Sequence, residues 1–164
     1  MKPTTICRDI LGAERLRSVF DELSALQVKM VLKKGRLNAK VGAGIVSQQK
    51  KRTVWFDRLS AAITEGNDLA AGEMLEQWLL NHHREMLIAF LSHLGVKHDA
   101  GETDENFLLS KPREEIQASA NALLRDERFD GPSVRAYLLY IAYQQRSAIF
   151  DDYAPVISGV AEGS

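Results

Sequence analysis

The sequence predicts an all-α fold, a single-domain bundle of five to six helices joined by short loops. Apolar residues recur every three or four positions along almost the whole chain, which is the spacing of one helix face. No set of segments alternates apolar and polar residues as the strands of a sheet would. The 164 residues suffice for one domain, and 45% hydrophobic with 26% charged residues is typical of a soluble globular protein. The predicted domain spans 1–164, with loosely ordered tails at 1–10 and 154–164 and main loops at 36–44 and 96–110.

The first long helix is predicted over residues 12–34. Its helical stripe consists of Leu16, Val19, Phe20, Leu23, Gln27, Met30 and Val31. Lys33 and Lys34 suit the negative end of the helix dipole, and Gly35 is expected to supply the left-handed cap. An alternative remains open, because residues 28–41 also alternate like a β-hairpin across "KKGR".

Two further helices follow in the middle of the chain. Helical spacing from Ile45 to Ile63 predicts one of them, and "EGND" (65–68) ends it. Asn67 or Asp68 can then cap the next helix. Its apolar positions are Leu75, Trp78 and Leu79.

Residues 82–94 are interpreted as one helix. Gly95 fits the left-handed position after its last turn, and Val96 can fold back onto Leu91 in a Schellman ending. The polar stretch 97–107 is then a loop.

The last two helices have recognisable beginnings. "SKPREE" (110–115) carries a proline and two glutamates, which favour a helix N-terminus. "DGPSV" (130–134) opens the final long helix in the same style, and Pro155 ends the ordered part of the chain.

Three of the four histidines lie within "NHHREMLIAFLSHLG" (81–95). On one helix His82 and His93 are about 16 Å apart along the axis, at ~1.5 Å per residue, which is too far for one metal ion. The neighbouring His82 and His83 diverge by about 100°. Neither HExxH nor ExxH occurs, so the stretch predicts a packed helix and no metal or cofactor. An interhelical pocket for a small ligand or metal is the alternative, with candidate residues Trp78, His82, His83 and His98.

Other signs of catalysis or membrane insertion are missing from the sequence. There is no GxSxG and no Walker loop, so the interpretation leans away from an enzyme. The single cysteine, Cys7, predicts a reduced thiol in an intracellular protein. The first 16 residues lack a signal-peptide core, and the longest uncharged apolar run, "MLIAFL" (86–91), is too short to span a bilayer. We therefore expect a cytoplasmic protein with no membrane partner.

Charge is unevenly distributed along the chain. No Asp or Glu occurs from Leu23 to Phe56, a span that holds eight Lys and Arg residues. Because the whole chain nets −1, the rest nets −9. This asymmetry indicates an interaction surface for nucleic acid, an anionic membrane or an acidic partner. Equally, the basic segment can dock on the acidic C-terminal half of the same chain. The candidate residues of the interaction surface are Lys33, Lys34, Arg36, Lys50, Lys51 and Arg52, with Tyr137 and Tyr140 (near Tyr143) as a second candidate surface.

The predicted function is therefore non-enzymatic binding of a protein partner or of a second copy of the chain. A nucleic-acid-binding helical module that uses the basic segment 29–52 is one alternative. A binder of a small ligand or metal in an interhelical pocket is the other.

Overall fold

The computed structural model describes residues 1–153, and within them the chain is all-α, as predicted. It contains more helices than the five to six expected. They are α1 (Pro3–Thr5), a π-helix (Ile6–Leu11), α2 (Gly12–Glu22), α3 (Ala25–Lys34), α4 (Gln48–Thr64), α5 (Asp68–His82), α6 (Arg84–His93), α7 (Phe107–Ser110), α8 (Arg113–Arg125) and α9 (Gly131–Gln144). The only strand-like pairing in this range is an isolated bridge between Asp99 and Glu102. The tail predicted at 154–164 and Pro155 lie outside the described residues.

The helices group into two compact units. Within the described residues, the N-terminal unit comprises Lys2–Trp78, and the C-terminal unit comprises residues 79–153 together with Met1. The boundary falls within α5, after Trp78. A single all-α domain fits this architecture, and the core of each unit is considered by itself.

The beginning of the chain is helical and buried, which corrects the loosely ordered tail predicted at 1–10. Ile6 and Cys7 are fully buried in the π-helix. The Asp68 carboxylate accepts hydrogen bonds from the Thr4 backbone N–H (3.1 Å) and from its hydroxyl (2.8 Å). This carboxylate therefore caps the first helical turn from a distant point of the sequence. Gly12, with φ of 74°, then turns the chain into α2.

The single helix predicted over 12–34 is wrong, because the chain breaks it at Leu23 and Ser24. Leu23 adopts an extended backbone, and the Ser24 hydroxyl accepts the Gln27 backbone N–H at 3.1 Å. The Gln27 side chain in turn accepts the Ser24 backbone N–H at 2.9 Å, which completes a capping box. The hairpin alternative at 28–41 is also wrong, because α3 continues to Lys34 and no strand follows in this stretch. The left-handed cap predicted at Gly35 is wrong too, since Gly35 has φ of −76° and Arg36, with φ of 58°, takes the left-handed position.

Side chains of α4 hold the loop between α3 and α4. The Trp55 indole N–H donates to the Ala39 carbonyl (2.8 Å), and the Arg58 guanidinium donates to the Asn38 carbonyl (2.7 Å). Arg52 reaches further back and donates to two carbonyls at the end of α2, those of Phe20 (2.9 Å) and Leu23 (2.8 Å). These bonds satisfy backbone groups that a helix C-terminus leaves unpaired.

The next helix junction also departs from the prediction. The helix expected over 82–94 does not exist as one element, since α5 ends at His82 and α6 begins at Arg84. The backbone of His83 leaves the helical region at φ −130° and ψ 26°. The chain therefore changes direction within the histidine segment.

The Schellman ending predicted after α6 is confirmed. Gly95 has φ of 65° and donates to the Ser92 carbonyl at 3.1 Å. Val96 donates to the Leu91 carbonyl at 3.0 Å, the second bond of the motif. The main loop expected over 96–110 is shorter than predicted, because its last four residues form α7.

The aromatic core of the C-terminal unit surrounds Phe90. The Phe90 ring packs edge-on against Phe107 (6.0 Å), Tyr137 (5.6 Å) and Phe150 (6.4 Å), measured between ring centroids. All four side chains are buried. Helices α6, α7 and α9 thus share one core.

The predicted beginnings of α8 and α9 are confirmed. Pro112 precedes α8, whose first turn carries Glu114 and Glu115. The Asp130 carboxylate accepts the Ser133 backbone N–H at 3.0 Å and so caps α9. Asn67 does the same for α5 by accepting the Ala70 backbone N–H at 3.0 Å.

Replacement of Arg52 by methionine should lower the free energy of unfolding by about 1–2 kcal/mol, because the Leu23 carbonyl at the end of α2 loses its donor. Urea denaturation followed by circular dichroism measures the change. Lys51→Met is the matched control and should stay within about 0.5 kcal/mol of wild type. Equal stability of the two variants would refute the capping role of Arg52.

Replacement of Gly35 by alanine should also destabilise the N-terminal unit. A Cβ atom at this position would lie 2.6 Å from the Ala70 Cβ and 3.2 Å from the Ala70 Cα, so α3 and α5 must move apart. We expect a loss of about 1–3 kcal/mol in the same urea titration. Gly44→Ala, where nothing lies within 4 Å, serves as the control and should be nearly neutral. A Gly35→Ala variant as stable as the control would contradict the close packing.

Candidate functional site

Helix α3 presents a mixed apolar and basic face to solvent. The side chains of Val28, Val31 and Leu32 on its inner side are fully buried. On the outer side Leu26 is 70% exposed and Met30 is 43% exposed. The complete exposed set follows helical spacing and is called the α3 face: Leu26, Lys29, Met30, Lys33 and Lys34.

The basic residues predicted for an interaction surface divide into two groups. Lys33, Lys34, Arg36 and Lys50 are exposed. Lys51 and Arg52 are half-buried. Arg52 uses its guanidinium within the N-terminal unit, where it caps α2 and lies 4.9 Å from the centroid of the Phe20 ring. Arg52 therefore stabilises the fold of the N-terminal unit.

The aromatic residues next to this basic segment are committed to packing. Trp55 is 3% exposed, and the Lys29 ammonium lies 5.8 Å from the centroid of its ring. Phe56 packs edge-on against Phe20 at 5.1 Å, with the Arg17 guanidinium over its ring at 4.5 Å. Neither ring is free for stacking on a nucleic-acid base.

The second predicted interaction surface, Tyr137 with Tyr140, is corrected by the structure. Tyr137 is 3% exposed and Tyr140 is 7% exposed, so both belong to the core. Burial raises the pKa of the Tyr137 phenol well above its usual value. Only the third tyrosine of the series, Tyr143, is exposed. Helix α9 is apolar around most of its circumference, which explains why tyrosines at a spacing of three turn inward.

The residues predicted for an interhelical pocket occupy different environments. In the N-terminal unit Trp78 is buried, and its indole N–H donates to the Glu22 carboxylate at 3.2 Å. In the C-terminal unit His82 is exposed at the end of α5, and His83 is half-buried at the break before α6.

His98 is held by two hydrogen bonds. Its Nδ1 accepts the Gly101 backbone N–H at 3.2 Å, so the ring proton of the neutral imidazole sits on Nε2. Nε2 then donates to the Ser92 hydroxyl at 2.9 Å. The imidazole therefore braces the loop after α6.

His98 also lines an open depression on the surface of the C-terminal unit. The other lining residues are Lys97, Asp99, Glu102, Thr103, Asp104 and Glu105. Neither His82 nor His83 lines it. In residues 1–153 no three His, Cys, Asp or Glu side chains form a group that could hold a metal ion.

Sequence reasoning missed one polar contact between α6 and α8. The His93 Nδ1 lies 2.7 Å from the Ser119 hydroxyl, at a small crevice also lined by Phe90 and Asp126. Ser119 is 3% exposed, so its hydroxyl does not meet solvent as a nucleophile would. The Asp126 carboxylate is paired with Arg128 at 2.7 Å, and these hydrogen bonds hold the pKa of Asp126 below its usual value. No local pattern reveals a pair 26 residues apart.

Comparison with family models, curated proteins and solved structures finds no match to this chain. None of the described helices is both long and apolar enough to cross a bilayer.

The one thiol of the chain is chemically protected. Burial raises the pKa of Cys7 from 9.0 to about 12, and the Asp68 carboxylate adds to the rise. A thiol that stays protonated to such high pH is a poor nucleophile. Cys7 therefore acts as a core residue.

This raised pKa predicts a loss of stability at alkaline pH. Above pH ~9 the unfolded thiol ionises while the folded thiol stays neutral, so the free energy of unfolding should fall by up to about 1.4 kcal/mol per pH unit from this group until about pH 12. Urea titrations at pH 8 to 11 measure the slope for wild type and for Cys7→Ala. The alanine variant should show a flatter dependence, and parallel slopes would contradict the burial of the thiol.

Proposed function

We propose that this chain is a non-enzymatic protein-binding module that uses the α3 face to engage an acidic partner surface with apolar side chains. The observation that supports it is the pairing of Leu26 and Met30, one helical turn apart, with three lysines. Since no Asp or Glu occurs between Leu23 and Phe56, no acidic residue from this stretch neutralises those lysines. An amphipathic acidic helix matches such a face in both charge and apolar contact.

The composition of the face favours protein over nucleic acid. Binding to phosphates gains affinity from the cations of a surface. A leucine and a methionine among those cations would be desolvated there without finding an apolar partner on a sugar–phosphate backbone. Methionine and aromatic residues are enriched where proteins contact proteins. The aromatic residues that single-stranded nucleic acid would need, Trp55 and Phe56, are packed within the N-terminal unit.

The probe for this proposal is a fluorescent 20-residue helical peptide with one face of leucines flanked by glutamates. Fluorescence anisotropy should show that wild type binds it. The triple variant Leu26→Gln/Lys33→Gln/Lys34→Gln should bind it at least tenfold more weakly, about 1.4 kcal/mol, because one apolar contact and two charges are removed. None of these side chains is buried, so the fold should be retained.

The control removes one exposed leucine and two exposed cations elsewhere: Leu69→Gln/Arg113→Gln/Arg125→Gln. It should bind the peptide like wild type. A 20-nucleotide DNA, single- or double-stranded, tests the alternative at several salt concentrations. DNA binding with a steep salt dependence that the α3 triple variant abolishes, without peptide binding, would overturn the proposal in favour of the nucleic-acid module.

A further inference from the structure

The C-terminal unit carries a surface of opposite charge to the α3 face. Asp99, Glu102, Asp104 and Glu105 are exposed on the loop that follows α6, and Leu109 of α7 is 68% exposed just beyond it. These five residues are called the acidic loop surface. It combines an excess of negative charge with an exposed apolar side chain, and Lys97 contributes a cation to the same depression.

The backbone of this loop is fixed from within the C-terminal unit. Asp99 and Glu102 exchange two backbone hydrogen bonds, of 2.8 and 3.0 Å, around Gly101 at φ 92°. A Cβ at Gly101 would lie 3.0 Å from the Leu87 Cβ, so the turn packs tightly on α6. The Thr103 hydroxyl donates to the Lys97 carbonyl at 2.8 Å. Residues of the loop are therefore ordered before any partner arrives.

The far end of the loop is braced by α9's end. The Gln145 amide donates to the Glu105 carbonyl at 3.3 Å, and its oxygen accepts the Leu108 backbone N–H at 3.0 Å. Glu102 pairs with Arg84 at 3.8 Å, whereas Asp104 and Glu105 join no ion pair within residues 1–153. A loop that is already ordered loses little conformational entropy when a partner binds. The carboxylates of Asp104 and Glu105 supply the charge for a complementary surface.

We infer that the partner of the α3 face is a second copy of this chain, which presents its acidic loop surface. This inference rests on the proposed function. Charge complementarity supports this pairing, because the span from Leu23 to Phe56 carries a net charge of +8 while the rest of the chain carries −9. The match includes apolar contact, because Leu109 can meet Leu26 and Met30 between the two sets of charges.

Such an interface joins two different surfaces, so it is heterologous. In a dimer one copy would keep its acidic loop surface unused and the other its α3 face, so further copies could add in the same sense. Wild type should therefore form oligomers that grow with protein concentration. They should dissociate with salt, because exposed charges are screened.

The experiment uses two variants of the full chain. One lacks the basic side (Leu26→Gln/Lys33→Gln/Lys34→Gln), and the other lacks the acidic side (Asp104→Asn/Glu105→Gln/Leu109→Gln). Sedimentation velocity at low salt should find each variant monomeric by itself. An equimolar mixture should give a 1:1 dimer and nothing larger, since only one intact pair of surfaces remains.

Formation of the mixed dimer also shows that both variants are folded. A control with Glu65→Gln/Leu69→Gln/Glu127→Gln, which removes two exposed acids and one exposed leucine elsewhere, should oligomerise like wild type. Dimers of the acidic-side variant alone, or a mixture that stays monomeric while the control oligomerises, would overturn the inference. Wild type that stays monomeric but binds the glutamate–leucine peptide would overturn it too, yet leave the proposed function standing.

Discussion

The N-terminal unit depends on one guanidinium. Arg52 lies on α4, yet it donates to the carbonyls of Phe20 and Leu23, where α2 ends, and it covers the Phe20 ring. A helix end without such donors would leave carbonyls unpaired where the chain turns into α3. Arg52 ties α2 to α4, and the buried Val28, Val31 and Leu32 of α3 leave the lysines of that helix on its outer side. The same basic segment thus supplies the Arg52 guanidinium, which stabilises the fold, and the exposed basic side chains.

The fold class and several helix ends could be predicted from sequence because local chemistry determines them. Asp130 before Ser133, and Gly95 followed by Val96, act within a few residues of themselves. The break at Ser24 is also local in origin, since "SALQ" (24–27) is a capping-box pattern, although the apolar spacing continues across it and predicts one helix. The break at His83 has no such local signature, because the His83 side chain makes no capping hydrogen bond to α6.

The candidate site could be predicted only in part, for the same reason. Charge segregation is a property of the sequence, so the exposed cations Lys33, Lys34 and Arg36 were identified. Which cation turns inward depends on partners about 30 residues away, as for Arg52. Tyrosine spacing likewise indicates neighbours on a helix, yet it does not tell whether that face of α9 is covered. The exposure of Met30 is a tertiary result, because the predicted apolar stripe includes Met30 and so places it in the core. Leu26 lies outside that stripe.

A single exposed leucine is ordinary on a soluble protein, so Leu26 alone would carry no argument. The α3 face differs because its two apolar side chains are surrounded by charge of one sign on a helix that cannot rearrange. Its inner residues are fully buried, the Ser24–Gln27 capping box fixes its start, and Gly35 packs against Ala70 at its end. A face held this rigidly would lose little conformational freedom on binding, so the proposed interaction would need only a modest apolar contact and a few exposed charges of one sign.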